Sequence, residues 1–324
     1  MQEETLLSIQ SLKVYFNGKE KGKEIRAVDG IDLTINKKEI LCIVGESGSG
    51  KSVTALSVMG LIPKPNGYIA EGTINYRGKD LSILSEKEIS DIRGNGIAMI
   101  FQEPMTSLNP VLTIGDQMSE GLRRHQKNNK KKALQKVIEI LEFIGFSRAE
   151  QIVKSYPHEL SGGMRQRVMI GMALLCEPSL IIADEPTTAL DVTIQAQVLD
   201  LMRRMKEELS TSVMMITHDL GVVAEMADQV AVMYAGQIVE RADADSLFNK
   251  PQHPYTKALM KSVPVIGQKN QVLYSIPGTV PSADNFPKGC RFAERCEYAE
   301  ASCFIEMPLL REIEKSHFVR CTLV

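Results

Sequence analysis

The sequence predicts an α/β protein with a largely parallel core sheet, followed by a smaller, proline-rich unit. Three observations carry this. The runs "ILCIVG" (40–45) and "SLIIADEP" (179–186) are unbroken apolar stretches of the kind buried on both faces of a parallel sheet. Strand-like and helix-like segments alternate around them, which is the order of an α/β domain. From "ERADADSLFNKPQHPYT" (240–256) the rhythm stops, and prolines become frequent as far as Pro308. The boundary is placed near residue 240, giving domains at 1–240 and 241–324.

The elements follow in order. "LLSIQSLKVYF" (6–16) and "AVDGIDLTI" (27–35) alternate and are rich in β-branched or aromatic residues, so they read as strands. The polar "NGKEKGKEIR" between them is a hairpin connection. "SVTALSVMGLI" continues from the first buried strand as a helix, and "GTINYRGKDL" and "GIAMIF" read as further strands. From Thr113 to about Gly145 the pattern is helical, and its basic run "RRHQKNNKKK" (123–132) reads as a solvated face. "IQAQVLDLMRRMKEEL" is helix-like and "SVMMITHD" strand-like.

Composition excludes several classes. A length of 324 residues suggests two domains, and 44% hydrophobic with 24% charged residues suits a soluble globular core. The net charge of −2 offers no overall basic field for nucleic acid. No apolar run reaches the roughly 18 residues that span a bilayer. The start, "MQEETLLSIQ", lacks the features of a secretory signal, so the sequence predicts a cytoplasmic chain with reduced thiols.

"GESGSGKS" matches G-x-x-x-x-G-K-[ST] through Gly45, Gly50, Lys51 and Ser52. Its glycines let successive N–H groups, through Ser47, Gly48 and Ser49, curl towards phosphate oxygens. Lys51 can reach the β- and γ-phosphates of a nucleotide, and the Ser52 hydroxyl can ligate Mg²⁺. The position between a buried strand and a helix adds the helix N-terminus. Such a loop needs an acidic strand end, and "LIIADEP" supplies Asp184 for Mg²⁺ and Glu185 to polarise the attacking water.

On these residues the chain resembles the ATP-binding cassette (ABC) ATPases. "ELSGGMRQR" (159–167) is similar to their signature motif. The order P-loop, Gln102 in "FQEP", "LSGGM", "ADEP", "TALD" and His218 in "THD" resembles their full motif set over about residues 6–240. The resemblance implies an ABC-type P-loop NTPase with a mixed sheet core, an antiparallel β subdomain and a helical signature subdomain at about 103–175. It implies that Ser161, Gly162 and Gly163 face the nucleotide of a second cassette. Gln102 would touch the metal or attacking water, His218 the γ-phosphate, and Asp191 would sit at the cassette interface. Phe16 matches the adenine-stacking aromatic by position, with Tyr15 as its neighbour.

Within that family, "VGESGSGKS", "FQEPMTSLNP", "PTTALDVTIQAQ", "HPYT" (253–256), "IPGTVP" (276–281) and "GCRFAERC" resemble the ATPase subunits of dipeptide and oligopeptide importers. This implies a second, related ATPase subunit, two transmembrane permeases and, indirectly, an extracytoplasmic solute-binding protein. The place of action would be the cytoplasmic face of the cell membrane. Nickel importers share much of the pattern and form the alternative. Soluble cassette ATPases that act on nucleic acid or ribosomes usually carry two cassettes or a coiled-coil insertion, and neither is seen. A regulatory module without hydrolysis is opposed by Glu185 and His218.

Four of the six cysteines crowd the tail, Cys290, Cys296, Cys303 and Cys321, spaced C-x₅-C-x₆-C-x₁₇-C. Structural zinc sites favour C-x₂₋₄-C knuckles, which are missing, whereas iron–sulfur clusters take four thiolates at varied spacings. The resemblance implies a [4Fe–4S] cluster here. Zn²⁺, with His317 as a substitute ligand, and unligated thiols or partial disulfides stay open. A cluster would staple an extension too poor in apolar residues for its own core. Cys42 and Cys176 read as core residues.

Overall fold

The computed structural model describes residues 4–18, 20, 22–101, 108–188, 191–262 and 274–324. The backbone gathers into two compact units. One comprises Thr5–Ile35, Ile40–Ser82 and Ile216–Val324, and the other includes Asn36–Glu39 and Ile83–Met215.

In the first unit the alternating N-terminal segments form the strands Thr5–Asn17 and Glu24–Asn36. The sheet runs Glu24–Asn36, Thr5–Asn17, Gly67–Tyr76, Lys79–Asp80. Thr5–Asn17 lies antiparallel to Gly67–Tyr76, with Leu7 opposite Tyr76 and Phe16 opposite Gly67. A bulge after Gln10, with Ser11 at φ 48°, resets the alternation. Leu7 and Ile9 are buried before it, Leu12 and Val14 after it.

The strand Ile40–Val44 is buried at every position and runs parallel to Gln229–Tyr234, Val44 standing opposite Val232. Gln229–Tyr234 turns through Ala235 and Gly236, at φ 47° and 81°, into the antiparallel Gln237–Asp243. Two positive φ values match the twist of a tight hairpin. The far edge of Gln237–Asp243 pairs with His317–Val319 near the end of the chain. The boundary expected near residue 240 therefore falls inside a strand. The tail folds back on that strand, because a proline-rich segment gains more by adding to an existing sheet than by closing a core of its own.

A buried carboxylate holds this return. Glu240 is fully buried, accepts the backbone N–H groups of Gln252 and His253 at 2.8 Å each, and lies 2.8 Å from His317 Nε2. His253 Nδ1 accepts the N–H of Tyr255 at 3.0 Å, capping the helix Pro254–Lys261. Burial drives its pKa down to about 3, so the ring is neutral. His317 is thus engaged by Glu240.

In the second unit Ile97–Ile100 and Leu180–Asp184 pair in parallel, Ile97 opposite Leu180, and Ser212–Ile216 flanks Leu180–Asp184. The helices Ile114–His125 and Lys130–Phe143 start at Thr113 and Asn129, whose side chains accept the N–H groups of Asp116 and Lys132. The basic run 123–132 spans the end of one helix and the start of the next. Arg123, Arg124 and His125 lie in a last turn, where the helix dipole favours cations. The helix Gly162–Leu174 packs closely against its neighbours, since a Cβ on Gly171 would stand 2.7 Å from Ile144 Cδ1.

Replacing Glu240 with Ala strands the N–H groups of Gln252 and buried His253, together with the His317 ring. It is expected to lower stability by about 3–5 kcal/mol, read as a shift in the urea or thermal midpoint.

Candidate nucleotide-binding site

The phosphate loop is shaped by what surrounds it. Gly45, Gly48 and Gly50 have φ of 149°, 78° and 102°. A Cβ on Gly45 would lie 2.1 Å from the Met233 carbonyl oxygen, and one on Gly50 would lie 2.5 Å from that of Ala27. The loop opens directly into the helix Lys51–Val58, whose N-terminal residue Gly50 provides no side-chain cap. The first N–H groups of a helix have no intrahelical acceptor, so this end suits an anion. Lys51 is buried, and its ammonium donates to the Gly45 and Glu46 carbonyls at 2.8 and 2.9 Å. Gly236 N–H donates to Ser49 O at 3.0 Å and holds the loop from the hairpin side.

Two further predicted residues belong to the same unit. His218 is exposed and follows the strand Ser212–Ile216, two residues beyond its end. It does not cap the next helix; Asp219 does, accepting the N–H groups of Gly221 and Val222. Phe16 is half-buried, and Gly67 opposite it leaves room for the ring, since a Cβ there would meet Phe16 Cε1 at 2.6 Å. Tyr15 is committed elsewhere. Its hydroxyl donates to Asp29 Oδ1 at 2.8 Å, and its pKa is pushed up to about 12 by burial and then by that bond.

The second unit holds the acidic strand end and the signature turn. Asp184 is buried at the end of Leu180–Asp184, and Glu185 follows at φ 49°. Thr188 Oγ1 donates to Glu185 Oε2 at 2.9 Å. Ser161 accepts the Met164 N–H and caps the helix Gly162–Leu174. Ser161 and Gly162 are exposed, and a Cβ on Gly162 would meet nothing within 4 Å. Gly163 lies against Ile194, whose Cγ2 would be 3.0 Å from a Cβ there. Asp191 is exposed and caps the helix Val192–Glu208 through Ile194 N–H at 3.0 Å. Gln102 lies outside the described residues.

Some contacts had no signature in the sequence. Buried Gln166, in the signature helix, donates to the Pro186 carbonyl at 2.7 Å, tying that helix to the turn after Glu185. Glu46 is bonded by Arg295 from the tail. Polar residues inside motifs reveal nothing of their distant partners, so neither contact was legible.

The four tail cysteines line one cavity, together with His253, Phe292 and Pro308. His317 is not among its lining residues. Backbone N–H groups two residues further on point at three of the sulfurs, Phe292 at Cys290, Tyr298 at Cys296 and Leu323 at Cys321. Burial, and then the neighbouring thiols, push Cys290 up to about 11. Among the described residues no three His, Cys, Asp or Glu side chains converge on one metal ion. The N–H groups aimed at sulfur favour the thiolate form, but burial outweighs them and raises Cys290, Cys296 and Cys321 above the ordinary thiol range. Cys42 and Cys176 are buried core residues.

A glycine-built loop opening a helix, with an acidic strand end, defines a P-loop nucleotide-binding protein. Residues 28–188 match the ABC transporter family, and residues 239–303 match the oligopeptide/dipeptide transporter C-terminal region. The oligopeptide transport ATP-binding protein AppD of Bacillus subtilis (strain 168) is 56% identical over 98% of this chain and 97% of its own. OppD of the same strain, also an oligopeptide transport ATP-binding protein, is 50% identical over 98% of this chain and 89% of its own. The dimeric ATP-binding cassette MJ0796 bound to ADP and Pi superposes with a TM-score of 0.65 at 26% identity, covering 74% of this chain and 99% of that one. The chain belongs to the ABC transporter family and is an ATPase of its cassette type. Among the described residues no helix is long and apolar enough to cross a membrane.

Gly50→Ala is expected to weaken ATP binding more than about tenfold, because the left-handed backbone alone costs about 1–2 kcal/mol with a Cβ present. Calorimetric titration with ATP measures it.

Proposed function

We propose that this chain binds and hydrolyses ATP to energise the import of oligopeptides or dipeptides. It works as one half of a pair of cassettes, with a second ATPase subunit, at the cytoplasmic face of the membrane. Two permeases form the path, and a solute-binding protein outside the cell delivers the peptide. The observation that carries the peptide reading is the likeness to oligopeptide transport ATP-binding proteins along nearly the whole chain, extension included. We take 1–240 as the cassette and 241–324 as the extension.

The residues divide the work as follows. The N–H groups of the Gly45–Ser52 loop and Lys51 bind the β- and γ-phosphates, and the Phe16 ring stacks on adenine. Ser52, Asp184 and Gln102 hold Mg²⁺, which neutralises phosphate charge when bound. Glu185 polarises the attacking water, and His218 donates a hydrogen bond to the γ-phosphate. Ser161, Gly162 and Gly163 cover the nucleotide of the partner cassette, with Asp191 at that interface. The exposure of Gly162, and the open space where its Cβ would be, support a close approach from outside the chain. Cys290, Cys296, Cys303 and Cys321 hold a [4Fe–4S] cluster that staples the extension.

Glu185→Gln is expected to cut ATP turnover by about 10²–10⁴ while ATP binding and pairing persist. Turnover that survives the change removes Glu185 as the base. Anaerobically purified protein is expected to be brown, with about four irons and four acid-labile sulfides per chain. Colourless protein with stoichiometric zinc overturns the cluster.

A further inference from the structure

Three motifs of the extension, "HPYT", "IPGTVP" and "GCRFAERC", take no part in the nucleotide roles above, yet "HPYT" and "GCRFAERC" bond Glu46 of the phosphate loop and "IPGTVP" holds Arg295. We infer that the extension shapes that loop, with Arg295 as a positioning residue that sets nucleotide affinity, an inference that rests on the nucleotide-binding reading.

The guanidinium of Arg295 grips Glu46, the second residue of the loop, through both arms. Nη1 donates to Glu46 Oε2 at 2.8 Å and Nη2 to Oε1 at 3.0 Å. Its Nε donates to the Pro277 carbonyl at 2.9 Å, and Gly278, at φ 77°, leaves the side chain room. The third motif arrives through Tyr255, whose hydroxyl accepts the Glu46 N–H at 2.9 Å. The Glu46 carbonyl, in turn, accepts Lys51 Nζ at 2.9 Å and the Ser49 N–H at 3.2 Å. The extension therefore holds the N–H and the carboxylate of Glu46, one of the two residues, with Gly45, whose carbonyls accept the Lys51 ammonium.

The pair is built to be stiff. The Arg295 side chain is 5% exposed and that of Glu46 27%, and a two-armed fork between them is stronger than a solvated surface pair. Burial pulls the Arg295 pKa down, but the bonds to Glu46 and Tyr234 outweigh it and keep the group charged. The rings of Tyr234 and Phe292 flank it at 5.6 and 5.9 Å. Arg295 ends a short turn, Ala293–Arg295, that lies between Cys290 and Cys296. That turn is closed by Cys290 N–H donating to the Cys303 carbonyl at 2.7 Å and Cys296 N–H to that of Ala293 at 3.2 Å. Main-chain bonds of two of the cysteines thus fix the turn that presents Arg295.

The test is a double-mutant cycle on the full chain. Dissociation constants for Mg²⁺–ATP and ADP are measured by calorimetry for wild type, Arg295→Met, Glu46→Gln and the double variant, with Arg295→Lys as the conservative change. Thermal midpoints are taken without nucleotide. Arg295→Met and Glu46→Gln are each expected to weaken binding about five- to tenfold, which is about 1–1.4 kcal/mol. The double variant is expected to be no weaker than the worse single one, and Arg295→Lys to fall between Arg295→Met and wild type. Losses that add, or single variants within twofold of wild type, overturn the inference. So does a fall in thermal midpoint with unchanged affinity, which marks a purely structural pair. Where Arg295→Met does not fold, Arg295→Lys supplies the second side of the cycle. Wild type that binds no nucleotide sinks the nucleotide-binding reading and this inference together, whereas wild type that binds alongside unaffected variants sinks only this one.

Discussion

At Gly45 and Gly50 the backbone passes so close to the carbonyl oxygens of Met233 and Ala27 that neither position has room for a Cβ. Both residues also take positive φ, which only glycine adopts without strain. The loop between them is consequently forced into a tight coil leading straight into the helix Lys51–Val58. That helix start offers N–H donors and a partial positive charge rather than a side-chain cap. Lys51 is folded back on the loop's own carbonyls, those of Gly45 and Glu46. The hairpin of Gln229–Tyr234 and Gln237–Asp243 is part of this constraint, because it supplies Met233 as a wall and Gly236 as a tether.

The extension has to be understood against that loop. A proline-rich tail with few apolar residues gains stability by joining a sheet edge and by satisfying buried charge. It does the first through His317–Val319 and the second through Glu240, Arg291 and Arg295. Arg291 reaches Asp29, which also accepts the Tyr15 hydroxyl, and the Arg291 guanidinium stacks 3.7 Å from the Phe286 ring. Arg291 and Arg295, four residues apart on the thiol-bracketed turn, thus anchor it to the strand Glu24–Asn36 and to the phosphate loop. Cys290 and Cys296 flank this turn and close it through their main-chain N–H groups.

In the other unit a buried amide links the acidic turn and the signature helix. Gln166 carries the Pro186 carbonyl, so a displacement after Glu185 is felt in the helix that Ser161 begins. Glu185 itself holds a left-handed backbone, a strained state for a non-glycine residue that tends to persist where a site requires it. Thr188 restrains its carboxylate from within the same turn.

The sequence by itself determined the strands, the phosphate loop and the family. Unbroken apolar runs such as "ILCIV", glycines at fixed offsets and an acidic strand end are local patterns, and local backbone physics is enough to read them. The reset of alternation at Ser11, the return of the tail to Gln237–Asp243 and the gathering of four cysteines about one cavity were decided only in three dimensions. The same holds for the surroundings of Tyr15 and Phe16, where Asp29 accepts the hydroxyl of one and Gly67 leaves room for the ring of the other. Arg295 and Glu46 stand far apart along the chain, and nothing near either one names its partner. Pairing of that kind is set by how the whole chain folds back on itself, which no short stretch of sequence encodes.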